Sequence, residues 1–96
     1  MKVGYHPAVQ RDLNRALRRY DEASARLGDE FWEELTSCIQ AAAASPLRFH
    51  PYKGELRRAN LKRFPYHLLY RILPDRIRVI ALRHHRQRPS FGVQRR

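Results

Sequence analysis

The sequence predicts a small α+β fold, β-α-α-β-β-β, in which a helical hairpin packs on a small antiparallel sheet. Apolar residues recur at steps of three and four through the first half of the 96 residues, which is typical of amphipathic helices. In the second half they alternate with polar residues, which is typical of half-buried strands. Hydrophobic residues make up 43% of the chain, so residues 1–96 are predicted to form one domain with a modest core.

The helical hairpin is predicted from two apolar stripes and their boundary residues. A short first strand is predicted at Lys2 to Tyr5, and Pro7 suits the first position of the helix that follows. Gly28 fits the end of that helix and Asp29 fits the N-cap of the second helix, which Ser45-Pro46 ends. The stripes consist of Val9, Leu13, Ala16, Leu17, Tyr20, Ala23 and Leu27, and of Phe31, Leu35, Cys38, Ile39 and Ala42. Because the link is short, the helices are predicted to be antiparallel.

Three strands are predicted after a loop at residues 46–55, where two prolines and a glycine disfavour regular structure. The alternation indicates strands at 56–63, 66–72 and 77–82, and Pro74 with Asp75 favours a turn between the last two.

One face of this sheet is predicted to cover the helices. The core is then expected to contain Leu13, Leu17, Phe31, Leu35, Tyr70 and Val79. The other face, near the strand ends, is expected to carry Arg57, Arg63, Arg71, Arg83 and His85. Residues 86–96 have no periodicity and are predicted to form a basic tail in which Arg95 and Arg96 are solvated.

The charge of the chain is distributed unevenly. Residues 1–50 carry seven basic and seven acidic side chains, whereas residues 51–96 carry thirteen basic and two acidic ones, so the whole net charge of +11 lies in the second half. A basic field of this kind attracts nucleic acid, the ribosome or an acidic protein segment.

Other classes of protein are disfavoured by the composition. There is no apolar leader and no run near the roughly 18 apolar residues of a membrane span, so a soluble cytoplasmic protein is expected. Cys38 is the only cysteine, which excludes an internal disulfide. His50, His84 and His85 lack a neighbouring cluster at ligand spacing, so neither a metal nor another cofactor is expected.

Two segments of the second half resemble a known family. Leu56 to Ile72 resembles the RelE/ParE pattern of an Arg-rich strand, then Arg-Phe-Pro-Tyr, then an apolar strand containing tyrosine. Ile77 to Pro89 resembles the last strand of that family, which ends in His and Arg before a proline. His6-Pro7-Ala8 and Leu27 to Phe31 also fit its helix openings, so the likeness covers nearly the whole chain.

The resemblance implies a toxin of a type II toxin–antitoxin pair, bound by a labile acidic antitoxin in a hetero-oligomer. RelE-like members cut mRNA in the ribosomal A site, whereas ParE-like members poison DNA gyrase and cut no RNA. The histidines and arginines at the end of the last strand favour an endonuclease that cuts mRNA on the ribosome, and a gyrase inhibitor is the alternative. A non-toxic nucleic-acid-binding module ranks last, because the sequence has no helix-turn-helix or aromatic-basic platform.

RNA cleavage without a metal requires a base, an acid and cations that stabilise the crowded phosphate. The resemblance implies that Glu55, Arg63 and His85 take these roles, and Arg83 and His84 are further candidates. Residues expected to bind nucleic acid are Arg57, Arg58, Lys62, Arg71, Arg86, Arg88 and Phe91, of which Phe91 could stack on a base. The competing interpretations are a salt bridge for Glu55, surface or antitoxin contacts for the histidines, and packing on its own domain for Phe91.

Overall fold

The computed structural model describes all 96 residues and confirms the α+β fold with a helical hairpin. The elements are β1 (Lys2–Tyr5), α1 (Val9–Ala23), α2 (Ala25–Ala44), β2 (His50–Pro51), β3 (Leu56–Asn60), β4 (Tyr66–Ile72) and β5 (Arg76–His84), with a 3₁₀ turn at Pro46–Arg48.

The five strands form one sheet in the order β1-β5-β4-β3-β2. The sheet is mixed, because β1 runs parallel to β5 while the other neighbours are antiparallel. The helical hairpin carries the chain from β1 at one edge of the sheet to β2 at the other, and the antiparallel strands then return to place β5 beside β1. The predicted loop at 46–55 was partly wrong, since it contains the 3₁₀ turn and the edge strand β2. The strand predicted at 56–63 ends at Asn60.

The boundary between the helices lies at Ser24 and not at Gly28 and Asp29 as predicted. Ser24 is extended, and its side chain accepts a hydrogen bond from the Leu27 N–H, as an N-cap does. Gly28 lies inside α2, where a Cβ would overlap the carboxylate of Asp21 on α1. The glycine therefore permits close approach of the two helices. Pro7 was likewise expected inside α1, but it lies in the turn before Val9.

The core lies between the hairpin and one face of the sheet. Phe31, Leu35, Tyr70 and Val79 are buried as predicted, whereas Leu13 and Leu17 are only half-buried at its margin. Aromatic rings from both layers pack together at its centre in stacked and edge-to-face pairs formed by Tyr20, Phe31, Phe64 and Tyr66.

An irregularity in the pairing of β4 with β5 changes which side chains share a face. Leu69 pairs with Ala81 and Tyr70 pairs with Val79, so Ile80 is an extra residue on β5. Ile80 and Ala81 consequently both lie on the face away from the helices, where they pack with Leu56 and Leu69. Leu82 returns to the helix side. Strict alternation along β5 predicted Ala81 on the helix side, which is wrong for this reason.

The C-terminal residues pack back on the domain. Val93 covers the apolar cluster on the outer face, and Arg95 forms an ion pair with Asp12 at 2.6 Å. Asp12 is buried, and it also accepts a hydrogen bond from the N–H of Leu82, beyond the point where β1 ends. Arg95 was expected in solvent, but this carboxylate holds it against α1.

Neither helix has a stretch that is both long enough and apolar enough to cross a membrane.

Candidate functional site

A hydrogen-bonded cluster of Tyr52, Arg58, His67, Arg83 and His85 lies on the sheet face away from the helices and is called the open-face cluster below. Its centre is Arg83, which is only 2% exposed. The Arg83 guanidinium donates to His67 Nε2 at 2.9 Å, to the Tyr52 hydroxyl at 2.7 Å and to the Pro89 carbonyl at 2.7 Å. Arg83 therefore joins the sheet to the C-terminal segment.

The two histidines of the open-face cluster have a defined pattern of protons. Because Arg83 donates to Nε2 of His67, a neutral His67 carries its proton on Nδ1. That nitrogen lies 2.9 Å from Nδ1 of His85, which then accepts, and the proton of a neutral His85 is on Nε2. Arg58 also reaches His85 Nδ1, at 3.4 Å, which agrees with the acceptor role.

Burial and positive charge favour the neutral form of both rings. Burial, followed by the charges of Arg58 and Arg83, lowers the pKa of His67 to about 3. Burial and then Arg58 and His84 also lower the pKa of His85. Since the remaining nitrogen of His85 is an N–H, it can donate a hydrogen bond but has no lone pair to accept a proton. His85 is thus poorly prepared to act as a general base.

The other residues implied in catalysis are not part of the open-face cluster. Glu55 pairs with Arg71 at 3.1 Å and is 85% exposed. It precedes β3 three residues before Arg58, about 10 Å along an extended strand. Arg63 lies on the helix side, where its guanidinium bonds to Glu30 of α2 at 2.8 Å. The structure therefore separates Glu55 and Arg63 from Arg83 and His85.

The expectation that Arg57 and Arg63 lie on the outer face was wrong. Arg57 pairs across the strands with Tyr70, which faces the helices, and it donates to the carbonyl of Phe49 at 2.7 Å. Arg71 and Arg83 do lie on the outer face, as their partners Leu56 and His67 show.

The remaining nucleic-acid-binding candidates are scattered. The backbone N–H of Lys62 donates to Glu34 of α2, so Lys62 lies beside an acidic helix. Phe91 is half-buried, with the guanidinium carbons of Arg95 and Arg15 at 5.0 and 5.8 Å from its ring centroid. Its contacts agree with packing on its own domain. Arg88 is exposed, and its carbonyl accepts a hydrogen bond from Arg83.

A second polar surface, called the basic groove below, runs between α1 and the turn that follows β5. It has a volume of about 680 Å³ and is lined by Arg15, Arg18, Arg19, Glu22, Pro65, His84, Arg86 and Gln87. His84 lies here and not with His85, because its ring packs edge-on against Tyr66 on the helix side. Burial, then Arg19 and Arg86, lower the pKa of His84. The α1 arginines were not among the sequence candidates, although their i, i+3, i+4 spacing was visible.

A third surface is apolar and is called the apolar groove below. Tyr5, Pro7, Leu13, Trp32 and Ile39 line its accessible part, and its volume is about 380 Å³. Tyr5 and Trp32 are 49% and 50% exposed, and because both line this groove they belong to one apolar patch. No group of three or more His, Cys, Asp or Glu side chains is placed to hold a metal ion.

Comparisons with known proteins agree with this fold. The model of the family described as the ParE toxin of the type II toxin–antitoxin system parDE matches residues 3–89. The chain therefore belongs to the ParE toxin family, which confirms the resemblance to RelE/ParE toxins. No curated protein sequence matches it. Among solved structures, a chain of the chromosomal ParDE system of P. aeruginosa superposes with a TM-score of 0.76 at 14% identity, over 88% of this chain and 95% of the other.

Proposed function

We propose that this toxin arrests growth by inhibiting DNA gyrase in the cytoplasm, without catalysing a reaction, and that an acidic antitoxin holds it inactive. The proposal that the toxin inhibits gyrase without catalysis is supported by the separation of Glu55 and Arg63 from Arg83 and His85. Cleavage without a metal needs its base, acid and cations around one phosphate. In contrast, a toxin that inhibits gyrase by binding to it needs only a complementary surface and no arrangement of catalytic groups.

The competing function is ribosome-dependent cleavage of mRNA, for which Arg83 and His85 were the principal candidates. The contacts of the open-face cluster support a structural role for both. Arg83 is buried and its donors are taken up by His67, Tyr52 and Pro89. A guanidinium used in this way has little capacity left for a phosphate, so the open-face cluster favours the gyrase proposal.

The test measures toxicity, supercoiling and mRNA integrity in the same variants. His85→Gln keeps a polar side chain but has no titratable ring, and under this proposal it remains toxic within about twofold. Purified wild-type chain should inhibit supercoiling of relaxed plasmid by gyrase, and cellular mRNA should stay intact. Under the RNase interpretation, loss of a general acid or base lowers the rate by about 10²–10⁴. Ribosome-associated mRNA cleavage with normal supercoiling would overturn the proposal.

The apolar groove supports an antitoxin that binds through apolar side chains on an acidic segment. Buried aromatic contacts supply most of the affinity at such surfaces, while the net charge of +11 accelerates association with an acidic partner. The related P. aeruginosa structure is of a toxin–antitoxin system, which supports the same kind of partner here.

Trp32 allows this contact to be measured directly, because it is the only tryptophan in the chain. Binding of the antitoxin encoded beside the toxin should shift the Trp32 fluorescence to shorter wavelength. Trp32→Glu should weaken co-purification with that antitoxin by at least about 30-fold, in the range of an interface hot spot. Leu47→Glu is the matched control, since Leu47 is 73% exposed and lies outside the apolar groove. Equal effects of both substitutions would contradict this assignment of the binding surface.

A further inference from the structure

We infer that the basic groove binds the phosphate backbone of duplex DNA. This inference deepens the proposed function and rests on it for one point, that the DNA concerned is the segment held by gyrase. Three observations carry it: the spacing of the arginines on α1, the absence of ion pairs from their guanidinium groups, and the polar lining of the groove.

The arginines reach the basic groove from two different elements. Arg15, Arg18, Arg19 and Glu22 are spaced i, i+3, i+4 and i+7 along α1, so they share one face over about 10 Å of helix. Arg86 joins them from the turn after β5. That turn is held in place, because the His84 N–H donates to the Gln87 side chain and the Arg86 N–H donates to His84 Nδ1. The groove is thus a fixed feature of the fold.

The guanidinium groups of the basic groove are free to bind an anion. The five ion pairs of the chain involve Arg26, Arg63, Arg71, Arg76 and Arg95, none of which lines the groove. Of the other buried or half-buried arginines on the sheet, Arg57, Arg78 and Arg83 donate to backbone carbonyls. Arg58 bonds to the side chains of Asn60 and His85. In contrast, Arg15, Arg18, Arg19 and Arg86 are exposed, and Glu22 is the only acid among the lining residues. Like charges placed together in this way repel each other and are relieved by a bound polyanion.

The lining of the basic groove favours a duplex over other polyanions. Apart from Pro65 and the His84 ring, every lining side chain is charged or carries an amide. An acidic peptide anchors through apolar and aromatic side chains, which the groove does not accommodate and the separate apolar groove does. Single-stranded RNA is usually held by stacking of successive bases on several aromatic rings, whereas His84 is the only ring that lines this groove. Guanidinium groups on a rigid helix suit the regularly spaced phosphates of a duplex.

The test compares two triple variants that lose the same charge. In the groove variant, Arg15, Arg18 and Arg19 are replaced by Gln; in the control variant, the exposed Arg26, Arg48 and Arg76 are replaced by Gln. Binding to a fluorescein-labelled 20-base-pair duplex is measured by anisotropy over a range of salt concentrations. Loss of three phosphate contacts should lower the slope of log K against log salt by about 2.7 and weaken binding at least tenfold. The control variant should keep the slope of the wild type within about 1.

Further arms of the test cover misfolding and other occupants. Arg86→Gln lies outside the helices, and it should lower the slope by about 0.9 even if the groove variant folds poorly. Equal losses in the groove and control variants would overturn the inference, because net charge alone would then explain binding. Tighter binding of a labelled decaglutamate than of the duplex, lost in the groove variant, would also overturn it in favour of an acidic peptide.

The supercoiling assay separates this inference from the gyrase proposal. If the groove variant loses affinity for DNA and the wild-type chain does not inhibit gyrase, the groove is established and the gyrase proposal fails. If gyrase is inhibited equally by wild-type and groove variant, and both bind DNA alike, only the groove inference fails.

Discussion

The two faces of the sheet are both closed to water at β4 and β5, but by different interactions. On the helix side, Phe31, Leu35 and Tyr70 pack in an almost wholly apolar layer. On the outer face, the buried residues include His67 and Arg83, which are joined by hydrogen bonds to each other and to the C-terminal segment. The helix side is therefore stabilised by apolar side chains that fill its volume, and the outer face by polar groups that are paired through hydrogen bonds.

This difference decides how each face responds to substitution. An apolar layer loses contacts roughly in proportion to the atoms removed. A buried polar network leaves its remaining groups without partners when one member is lost, and each such group retains its full desolvation cost. The outer face should therefore be the more sensitive to changes of polarity and pH.

The arginines in the two halves of the sequence also have different roles. The basic second half contains arginines that hold the fold together, namely Arg57, Arg83 and Arg95. The neutral first half contains the unpaired arginines of α1. The half of the sequence with the higher charge is thus not the half whose charges are most available for binding.

The largest effect is expected from Asp12→Ala on α1, because the Asp12 carboxylate bonds to the backbone of β5. The carboxylate is 1% exposed and accepts bonds from Arg95 and from the Leu82 N–H, so its removal leaves a half-buried cation without a counter-ion and a buried donor without a partner. Breaking a buried pair in this way costs about 3–5 kcal/mol of unfolding free energy, to be measured by urea denaturation. Asp12→Asn keeps an acceptor for Leu82 and should cost less. Equal stability of Asp12→Ala and wild type would show that the Arg95 contact does not hold the tail.

Leu35→Ala measures the apolar face for comparison. Leu35 is 3% exposed within the core, and truncation of a buried leucine costs about 2–5 kcal/mol. Leu47→Ala serves as the control, because at 73% exposure it should change the unfolding free energy by less than about 0.5 kcal/mol. A loss as small as this for Leu35 would contradict its assignment to the core.

The pH dependence distinguishes the two faces most directly. The pKa of His67 is lowered from 6.5 to about 3 in the folded state, so between these values the unfolded chain binds a proton that the folded chain does not. Stability should therefore fall as the pH falls below 6.5, by about 1.4 kcal/mol per pH unit for this one group. His6, His84 and His85 add to the slope, because their pKa values are also lowered.

His67→Gln isolates the contribution of this residue. The variant should be less stable at pH 7, but its stability should depend on pH less steeply than that of the wild type between pH 5 and 6, by about one proton. Leu35→Ala should be displaced to lower stability with an unchanged slope. Parallel curves for wild type and His67→Gln would mean that His67 titrates normally in the folded chain.

The sequence was informative where local pattern determines structure. Helical and alternating periods located the hairpin and β4, and Ser45-Pro46 ended α2 as expected. Two kinds of feature were not visible in it. The extra residue at Ile80 reverses the faces of Ala81 and Leu82, and the contact of Asp12 with Arg95 joins positions 83 residues apart. Both depend on tertiary pairing, which no local pattern encodes.

The residues of the candidate site could not be placed by local sequence pattern either. The resemblance to RelE/ParE toxins implied that Glu55, Arg63 and His85 act at one site. In the structure they lie at different strand positions and on different faces of the sheet. Conversely, Arg15, Arg18 and Arg19 were not among the candidate binding residues, because they lie on the polar face of an amphipathic helix. Only the fold places them beside Arg86.

The smallest effect is expected from Glu55→Gln. This substitution tests whether the residue that precedes β3, outside the open-face cluster, contributes to stability or toxicity. Glu55 is 85% exposed, and its single partner Arg71 is 27% exposed at 3.1 Å. An exposed pair of this kind contributes little, so the unfolding free energy should change by less than about 0.5 kcal/mol. Because Glu55 does not contact Arg83 or His85, toxicity on expression should also stay within about twofold of the wild type. Lys53→Gln is a nearby control of the opposite charge. A loss of toxicity of 10²-fold or more in Glu55→Gln alone, with stability unchanged, would give Glu55 a catalytic role and restore the mRNA-cleavage interpretation.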